Sequence, residues 1–219
     1  MFKKSLLVFV YTLIICAISI GCTVAYYHYV VFSSGTVAPT EMNESQVVKS
    51  PIKDSDVLVE IMSYGCHFCA ANEKNVEELE KRLPNGVKIV RLHLTDSTFS
   101  GLARYATLFA TLQVMGIEPQ YRERIYTSIL KQNTDLGNAE ILDKWLIKNN
   151  IDVDNYHQTR QSEAVKNLII YMKEVSEYYT VAGMPAFIVN KKWVVLQDRD
   201  FPEFGDYILS LLAETKLGK

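Results

Sequence analysis

Two cysteines separated by two residues form the motif with the clearest chemistry in this chain, Cys66-His67-Phe68-Cys69. Two thiols at this spacing can form a disulfide across the first turn of a helix. A helix N-terminus presents unpaired backbone N–H groups and the positive end of the helix dipole to the first cysteine. Both features favour the thiolate, which is the attacking species in disulfide exchange. The motif predicts a redox pair in which Cys66, at the exposed edge, exchanges with substrate and Cys69, one turn inside, resolves the intermediate.

An inert structural disulfide and half of a zinc site are the alternatives for this motif. Zinc sites normally take four protein ligands, and the sequence has no second cluster of cysteine and histidine, although His67 could add a third ligand. The two remaining cysteines, Cys16 and Cys22, lie in an apolar N-terminal stretch and are expected to act there as small hydrophobic side chains. The pair at Cys66 and Cys69 must therefore account for the cysteine chemistry of the chain that follows this apolar stretch. We expect no metal and no cofactor beyond the Cys66–Cys69 disulfide itself.

The N-terminus carries a segment that is long and apolar enough to span a membrane. Lys3 and Lys4 precede an apolar stretch over residues 6–32, and a bilayer-spanning helix needs about 20 such residues. The positive-inside rule places the N-terminus in the cytoplasm and the remainder in the periplasm. Tyr26, Tyr27, Tyr29 and Phe32 crowd the far end, where aromatic residues favour the membrane interface. We expect a retained anchor, with a cleaved signal or a lipoprotein signal at Cys22 as alternatives.

Charge and composition exclude one class of partner. The 219 residues carry a formal net charge of −2 and no run of lysine or arginine, so nothing predicts nucleic-acid binding. The chain is long enough for one sizeable core, or for one core that carries an inserted subdomain.

The elements around the cysteines follow a β-loop-α-turn-β pattern. Val57–Met62 is a short β-branched run that predicts a buried strand, and residues 66–83 have helical spacing, with Glu73 among the charged residues on the outer faces. Residues 87–94 alternate as a second strand. A crossover of this length implies a parallel pair with a right-handed connection. The CxxC motif therefore stands between a strand and a helix, which favours redox work.

Helical periodicity dominates the next part of the chain. Four helices are expected between Phe99 and Tyr179, the last of them over residues 153–179, with Asn138 capping the third. Strand patterns return at Ala186–Val189 and residues 193–197, and an amphipathic helix covers residues 201–212. The predicted domains are an N-terminal anchor over 1–32, a linker over 33–55 with a possible edge strand at residues 46–49, a first α/β part over 56–98, an all-helical insertion over 99–179 and a second α/β part over 180–219.

The order of these motifs resembles the DsbA family of thiol:disulfide oxidoreductases. The residues that carry the likeness are the CxxC after a strand, the helical insertion, and Gly183-Met184-Pro185 before a strand. The resemblance implies an α/β thioredoxin fold interrupted by a helical domain, with a cis bond before Pro185 facing the cysteines. It also matches Glu60 to the family's buried acid and Arg91 to its basic partner. A buried carboxylate needs such a partner, which could be catalytic or purely structural.

The resemblance further implies a protein dithiol oxidase. Its substrates would be unfolded exported chains that dock beside Pro185, with Gly183, Met184 and Phe68 as substrate-binding residues and His67 supporting Cys66. A quinone-linked membrane partner of the DsbB type would re-oxidise the pair, and we expect a monomer. Two positions depart from the family pattern. His67-Phe68 replaces the usual Pro-His, which leaves the direction of electron flow open, and Met184 replaces the usual Val, which leaves the substrate preference open. The alternatives are a disulfide reductase or isomerase, and a non-catalytic chaperone or metal-binding module.

Overall fold

The computed structural model describes residues 2–26, 37–54 and 56–217, and its contacts divide the chain into two units, Met1–Val37 and Ala38–Lys219. Its strands are β1 (Thr40–Glu41), β2 (Val57–Met62), β3 (Lys88–His93), β4 (Ala186–Val189) and β5 (Trp193–Leu196). Its α-helices are α1 (Phe2–Tyr26), α2 (Glu44–Lys49), α3 (His67–Lys81), α4 (Ala106–Val114), α5 (Glu118–Tyr126), α6 (Ala139–Lys148), α7 (Val153–Arg160), α8 (Glu163–Tyr178) and α9 (Glu203–Leu217). A 3₁₀ turn at Gly101–Ala103 and a π turn at Thr127–Lys131 complete the helical part.

The first unit contains α1, a helix of 25 residues. Its segment Phe9–Tyr26 is long and apolar enough to cross a membrane, a property that a signal sequence shares. The predicted interfacial aromatics Tyr27, Tyr29 and Phe32 lie outside the described residues.

The second unit is built on a five-stranded mixed sheet in the order β1-β5-β4-β2-β3. Strands β2 and β3 run parallel, as their crossover through α3 predicts, and Glu60 stands directly opposite Arg91 in their register. Strand β4 pairs antiparallel with β2, and β5 pairs antiparallel with β4. All residues of β2 and β4 are buried, as expected for strands covered on both faces.

Two cores cover the two faces of this sheet. On one face Leu58 and Phe187 pack with α3 and α9 through residues such as Val76 and Phe204. On the other face Val59, Ile61 and Ala186 pack against the core of the helical part. This core contains buried residues from α4, α6, α7 and α8: Phe109, Leu112, Leu142, Trp145, Leu146, Tyr156, Val165, Met172 and Val175. The fold is a mixed α/β sheet with a helical insertion, as the sequence predicts.

The stretch that precedes β2 corrects the sequence prediction. Residues 46–49 do not form the expected edge strand but belong to α2, because Asn43 and Gln46 make a reciprocal capping box that starts a helix. The edge position of the sheet belongs to Thr40–Glu41, which pairs with β5. The buried side chains of Met42 and Ile52 fasten this part of the predicted linker to the domain.

The helical part differs from the prediction in one helix. The expected fourth helix over residues 153–179 is divided into α7 and α8, because the Ser162 side chain accepts a hydrogen bond from the Val165 N–H and starts a new helix. Asn138 caps α6 as predicted, with its side chain accepting from the Ile141 N–H.

Candidate active site

Cys66 and Cys69 form a disulfide at the start of α3, with their Cα atoms 5.3 Å apart. Cys66 is the N-cap residue of this helix, and its sulfur accepts a hydrogen bond from the Cys69 N–H at 3.0 Å. A sulfur in this position receives an unpaired helix N–H and the positive end of the helix dipole. The site can therefore stabilise negative charge on Cys66 when the disulfide opens.

The exposure of the motif is uneven. Both cysteines are buried, with 6% of the surface of Cys66 and 1% of the surface of Cys69 exposed. The prediction that Cys66 lies at an exposed edge is therefore wrong. Cys66 is still the more accessible of the two. Between them His67 is exposed, and Phe68 exposes 74% of its surface. An incoming thiol thus meets an aromatic side chain and an imidazole beside the Cys66 sulfur.

The loop that delivers Cys66 is fastened at each of its residues. The Ser63 hydroxyl donates to the Leu102 carbonyl at 2.6 Å and accepts from the Gly65 N–H at 3.0 Å. The Tyr64 N–H donates to Nε2 of His93 at 3.2 Å, and Nδ1 of His93 lies 2.8 Å from the Leu94 carbonyl. An imidazole that accepts at Nε2 and donates at Nδ1 is neutral, and complete burial lowers the pKa of His93 to about 4.

Pro185 lies at the same end of the sheet as the cysteines. The Met184–Pro185 bond is cis, as the sequence predicts. Ala186 stands opposite Ile61 in the antiparallel register of β4 and β2, so Pro185 adjoins the end of β2 from which the Cys66 loop departs. Pro185 is buried, whereas Gly183 and Met184 are partly exposed.

Beneath α3, Glu60 and Arg91 form the ion pair that the family resemblance implies. Arg91 Nε lies 2.9 Å from Glu60 Oε2, and the two side chains expose 9% and 1% of their surface. Burial raises the pKa of Glu60 from 4.5 to about 7, opposed by the positive charge of Arg91. A carboxyl group that titrates near neutral pH can exchange a proton with its surroundings under physiological conditions.

The pair extends into a larger network that the sequence did not reveal. Arg91 Nη1 also binds Glu73 at 3.0 Å, so Glu73 faces inward and its prediction as an outer-face residue is wrong. From α5, Arg122 lies 3.4 Å from Glu73 and donates to both carboxylate oxygens of Glu118. A groove of about 510 Å³ between α3 and the α5 region reaches Glu73 and Arg122. The network therefore connects the sheet, α3 and the helical part, with Glu73 near solvent and Glu60 at the buried end.

Among the residues that the structure describes, no group of three or more histidine, cysteine, aspartate or glutamate side chains is arranged to hold a metal ion.

Comparison with known proteins decides the family. The model of the DSBA-like thioredoxin domain matches residues 90–208, more than half of the 219 residues. The chain belongs to this family. The match begins within β3, after the CxxC motif, and takes in the helical part, the cis Met184–Pro185 bond and the first part of α9.

The DSBA-like chain is similar to curated and solved members. It is 30% identical over 137 residues to the thiol:disulfide interchange protein DsbA of Pseudomonas syringae, covering 62% of this chain and 63% of that protein. The DsbA of Pseudomonas aeruginosa is 29% identical over 137 residues, covering 62% and 64%. The alignments thus span just under two thirds of these relatives. The crystal structure of Pseudomonas aeruginosa DsbA has the same fold, with a TM-score of 0.66 and 23% identity over 84% of this chain and 91% of that one.

Proposed function

We propose that this DSBA-like protein is a thiol:disulfide interchange enzyme that introduces disulfides into exported proteins through Cys66 and Cys69. The observation that carries the proposal is the disulfide at the N-terminus of α3, where the Cys66 sulfur accepts the Cys69 N–H. A thiolate stabilised in this way is a good leaving group, and a disulfide that contains it is readily reduced by substrate thiols.

The reaction passes two electrons from substrate to enzyme. A substrate thiolate attacks the Cys66 sulfur, the Cys66–Cys69 bond breaks, and Cys69 leaves as a thiolate that takes up a proton. A second substrate thiolate then attacks the substrate sulfur of the mixed disulfide and releases Cys66 as a thiolate at the start of α3. The substrate is oxidised to a disulfide and the enzyme is reduced to a dithiol.

We assign substrate-contact roles to the residues around the disulfide from their positions. Phe68 and Met184 provide apolar contact for an unfolded chain, Gly183 and Pro185 offer backbone beside Cys66, and His67 supplies a polar group at the rim. All five lie on the CxxC turn or on the segment that leads into β4.

The buried pair beneath α3 supplies the proton chemistry. We assign Glu60 as the group that exchanges a proton with Cys69 as the disulfide opens and closes, because its pKa of about 7 lets it act in either direction near neutral pH. Arg91 keeps the ionised form of Glu60 paired inside the protein.

The cell context completes the proposal. We place the second unit in the periplasm, tethered by α1 with Lys3 and Lys4 on the cytoplasmic side, and working as a monomer. A quinone-linked membrane protein of the DsbB type would return the cysteines to the disulfide. Unfolded exported chains with free thiols would be the substrates.

Trapping the mixed disulfide tests this function. The Cys69→Ser variant cannot resolve the intermediate through Cys69, so substrate proteins should accumulate in covalent complexes that disappear on non-reducing gels after dithiothreitol treatment. The Cys66→Ser variant is the matched control and should trap far less, because Cys69 is the more deeply buried sulfur. If Cys69→Ser expressed in a periplasm traps nothing, the protein does not exchange disulfides with exported chains.

A further inference from the structure

Glu118 is a buried carboxylate in the helical part, and it accepts hydrogen bonds from Arg122 and from a second side chain. Its side chain is fully buried, and Arg122 donates to both of its oxygens, from Nε at 2.9 Å and from Nη2. Arg122 in turn lies 3.4 Å from Glu73 of α3. A bidentate guanidinium holds a carboxylate in one plane and one orientation. Glu118 is therefore a rigid hydrogen-bond acceptor on α5.

The group that Glu118 accepts from is the hydroxyl of Tyr64. The Tyr64 Oη–Glu118 Oε1 distance is 2.8 Å, and the Tyr64 side chain is fully buried. Tyr64 stands two residues before Cys66 in the loop between β2 and α3. Its ring also packs edge-on against Tyr126 and against His93, which holds its backbone N–H.

The attachments of this loop come largely from the helical part. Ser63 bonds to the Leu102 carbonyl, and Tyr64 bonds to Glu118, so two consecutive residues are tied to segments that lie outside the sheet. Cys66 follows directly, with its N–H bonded to the Ser63 carbonyl at 3.0 Å. The position of the Cys66 sulfur over the start of α3 thus depends on contacts made 39 and 54 residues away along the chain.

We propose that Glu118 is a positioning residue for the redox centre, acting through Tyr64 to hold the Cys66 sulfur at the N-terminus of α3. The inference rests on the proposed disulfide exchange, and adds that the helical insertion sets the reactivity of Cys66. In the reduced protein, a variant that lacks the Tyr64–Glu118 hydrogen bond would hold the loop less firmly. The contact between the Cys66 sulfur and the helix N–H groups would then be weaker. The thiolate would then be less favoured.

The test uses full-length protein in detergent, reduced and then alkylated with iodoacetamide across a range of pH. The label on the Cys66 peptide is followed by mass spectrometry, because Cys16 and Cys22 also carry thiols. In Tyr64→Phe the pH midpoint of Cys66 alkylation should rise, and the rate below that midpoint should fall at least threefold. Glu118→Ala should behave alike, whereas Glu118→Gln, whose amide oxygen still accepts from Tyr64, should stay within twofold of the parent protein.

Matched controls come from the same helix. Tyr121→Phe removes a hydroxyl that bonds to the Asn149 carbonyl, and Glu123→Gln changes an exposed carboxylate; both should leave the alkylation profile unchanged. An unchanged profile in Tyr64→Phe overturns the inference, even if the variant is less stable, because a purely structural role lowers stability without altering the thiolate. If Glu118→Ala does not fold, Tyr64→Phe alone decides the question.

The failure of this inference differs from failure of the proposed function. Equilibration of the parent protein with glutathione reports whether Cys66 and Cys69 exchange disulfides at all. A parent protein that exchanges normally, with a Tyr64→Phe profile that matches it, contradicts only the positioning role. A parent protein that does not exchange contradicts the proposed function, and the positioning role with it.

Discussion

Replacing Glu60 by glutamine should remove a specific part of the pH dependence of stability. Burial raises the pKa of Glu60 from 4.5 to about 7, and each pKa unit corresponds to about 1.4 kcal/mol. Ionising this carboxyl therefore costs about 3 kcal/mol more in the folded protein than in the unfolded chain. The neutral form stabilises the fold fully below pH 4.5, and this contribution is lost as the pH rises through about 7.

The substitution is mild because it leaves Arg91 with a partner. Arg91 Nη1 still binds Glu73 at 3.0 Å, and the glutamine oxygen can accept from Arg91 Nε. The difference in unfolding free energy between Glu60→Gln and the parent should therefore shift in favour of the variant by about 3 kcal/mol between pH 4.5 and pH 8. Other titrating groups occur in both proteins and cancel in this difference.

Urea unfolding of the oxidised full-length protein measures this difference, followed by the fluorescence of Trp145 and Trp193. These are the two tryptophans of the chain, and both lie in the second unit. Glu140→Gln is the control, since Glu140 is largely exposed and pairs with Lys144 across one helical turn. If the stabilities of Glu60→Gln and the parent run parallel from pH 4.5 to pH 8, Glu60 is ionised throughout and the reasoning is refuted.

Two further predictions concern residues on either side of the disulfide. His93→Phe should flatten the acid side of the stability profile, because neutral His93 stabilises the fold above pH 6.5 and this contribution is lost as the pH falls toward its pKa of about 4. Urea unfolding at pH 7 and pH 4.5 measures the change, and an unchanged slope would contradict the lowered pKa of His93. Phe68→Ser should change stability by no more than about 0.5 kcal/mol because the ring is 74% exposed, yet slow the oxidation of a reduced peptide; equal rates would mean that substrate does not touch Phe68.

The sequence was informative where the relevant contacts are local or follow from strand order. The cysteine spacing placed Cys66 at a helix start, because capping depends on residues within one turn. The pairing of Glu60 with Arg91 is implied by the family resemblance, and the parallel strands β2 and β3 place the two residues opposite each other. The cis bond at Pro185 follows from the family resemblance, because most X-Pro bonds are trans and the local sequence does not select the cis form.

The remaining parts of the site depend on contacts between distant segments. Glu73 has the helical spacing of an exposed residue, but the arginines from β3 and α5 draw its side chain inward, where 16% of its surface stays exposed. Helix α5 is mostly polar, which predicts a surface helix, yet its Glu118 is completely buried by Arg122 and Tyr64. The periodicity of a sequence shows which face of a helix is apolar. It does not show whether a polar side chain of that helix is exposed or pairs with a polar side chain inside the protein.

Local capping explains the errors in element boundaries. The apolar pair within residues 46–49 favours a strand by composition, but the capping box of Asn43 and Gln46 satisfies the first N–H groups of a helix. Ser162 likewise divides the predicted long helix because its hydroxyl competes with the backbone for a helix N–H.

The reduction potential of the Cys66–Cys69 pair tests the central claim most directly. Equilibration of the full-length protein with mixtures of reduced and oxidised glutathione, with the fraction of each form resolved by alkylation, gives this value. A dithiol oxidase should have a potential close to the roughly −120 mV of DsbA and well above the roughly −270 mV of thioredoxin. A potential near that of thioredoxin would contradict the account, and would make the same cysteines those of a reductase.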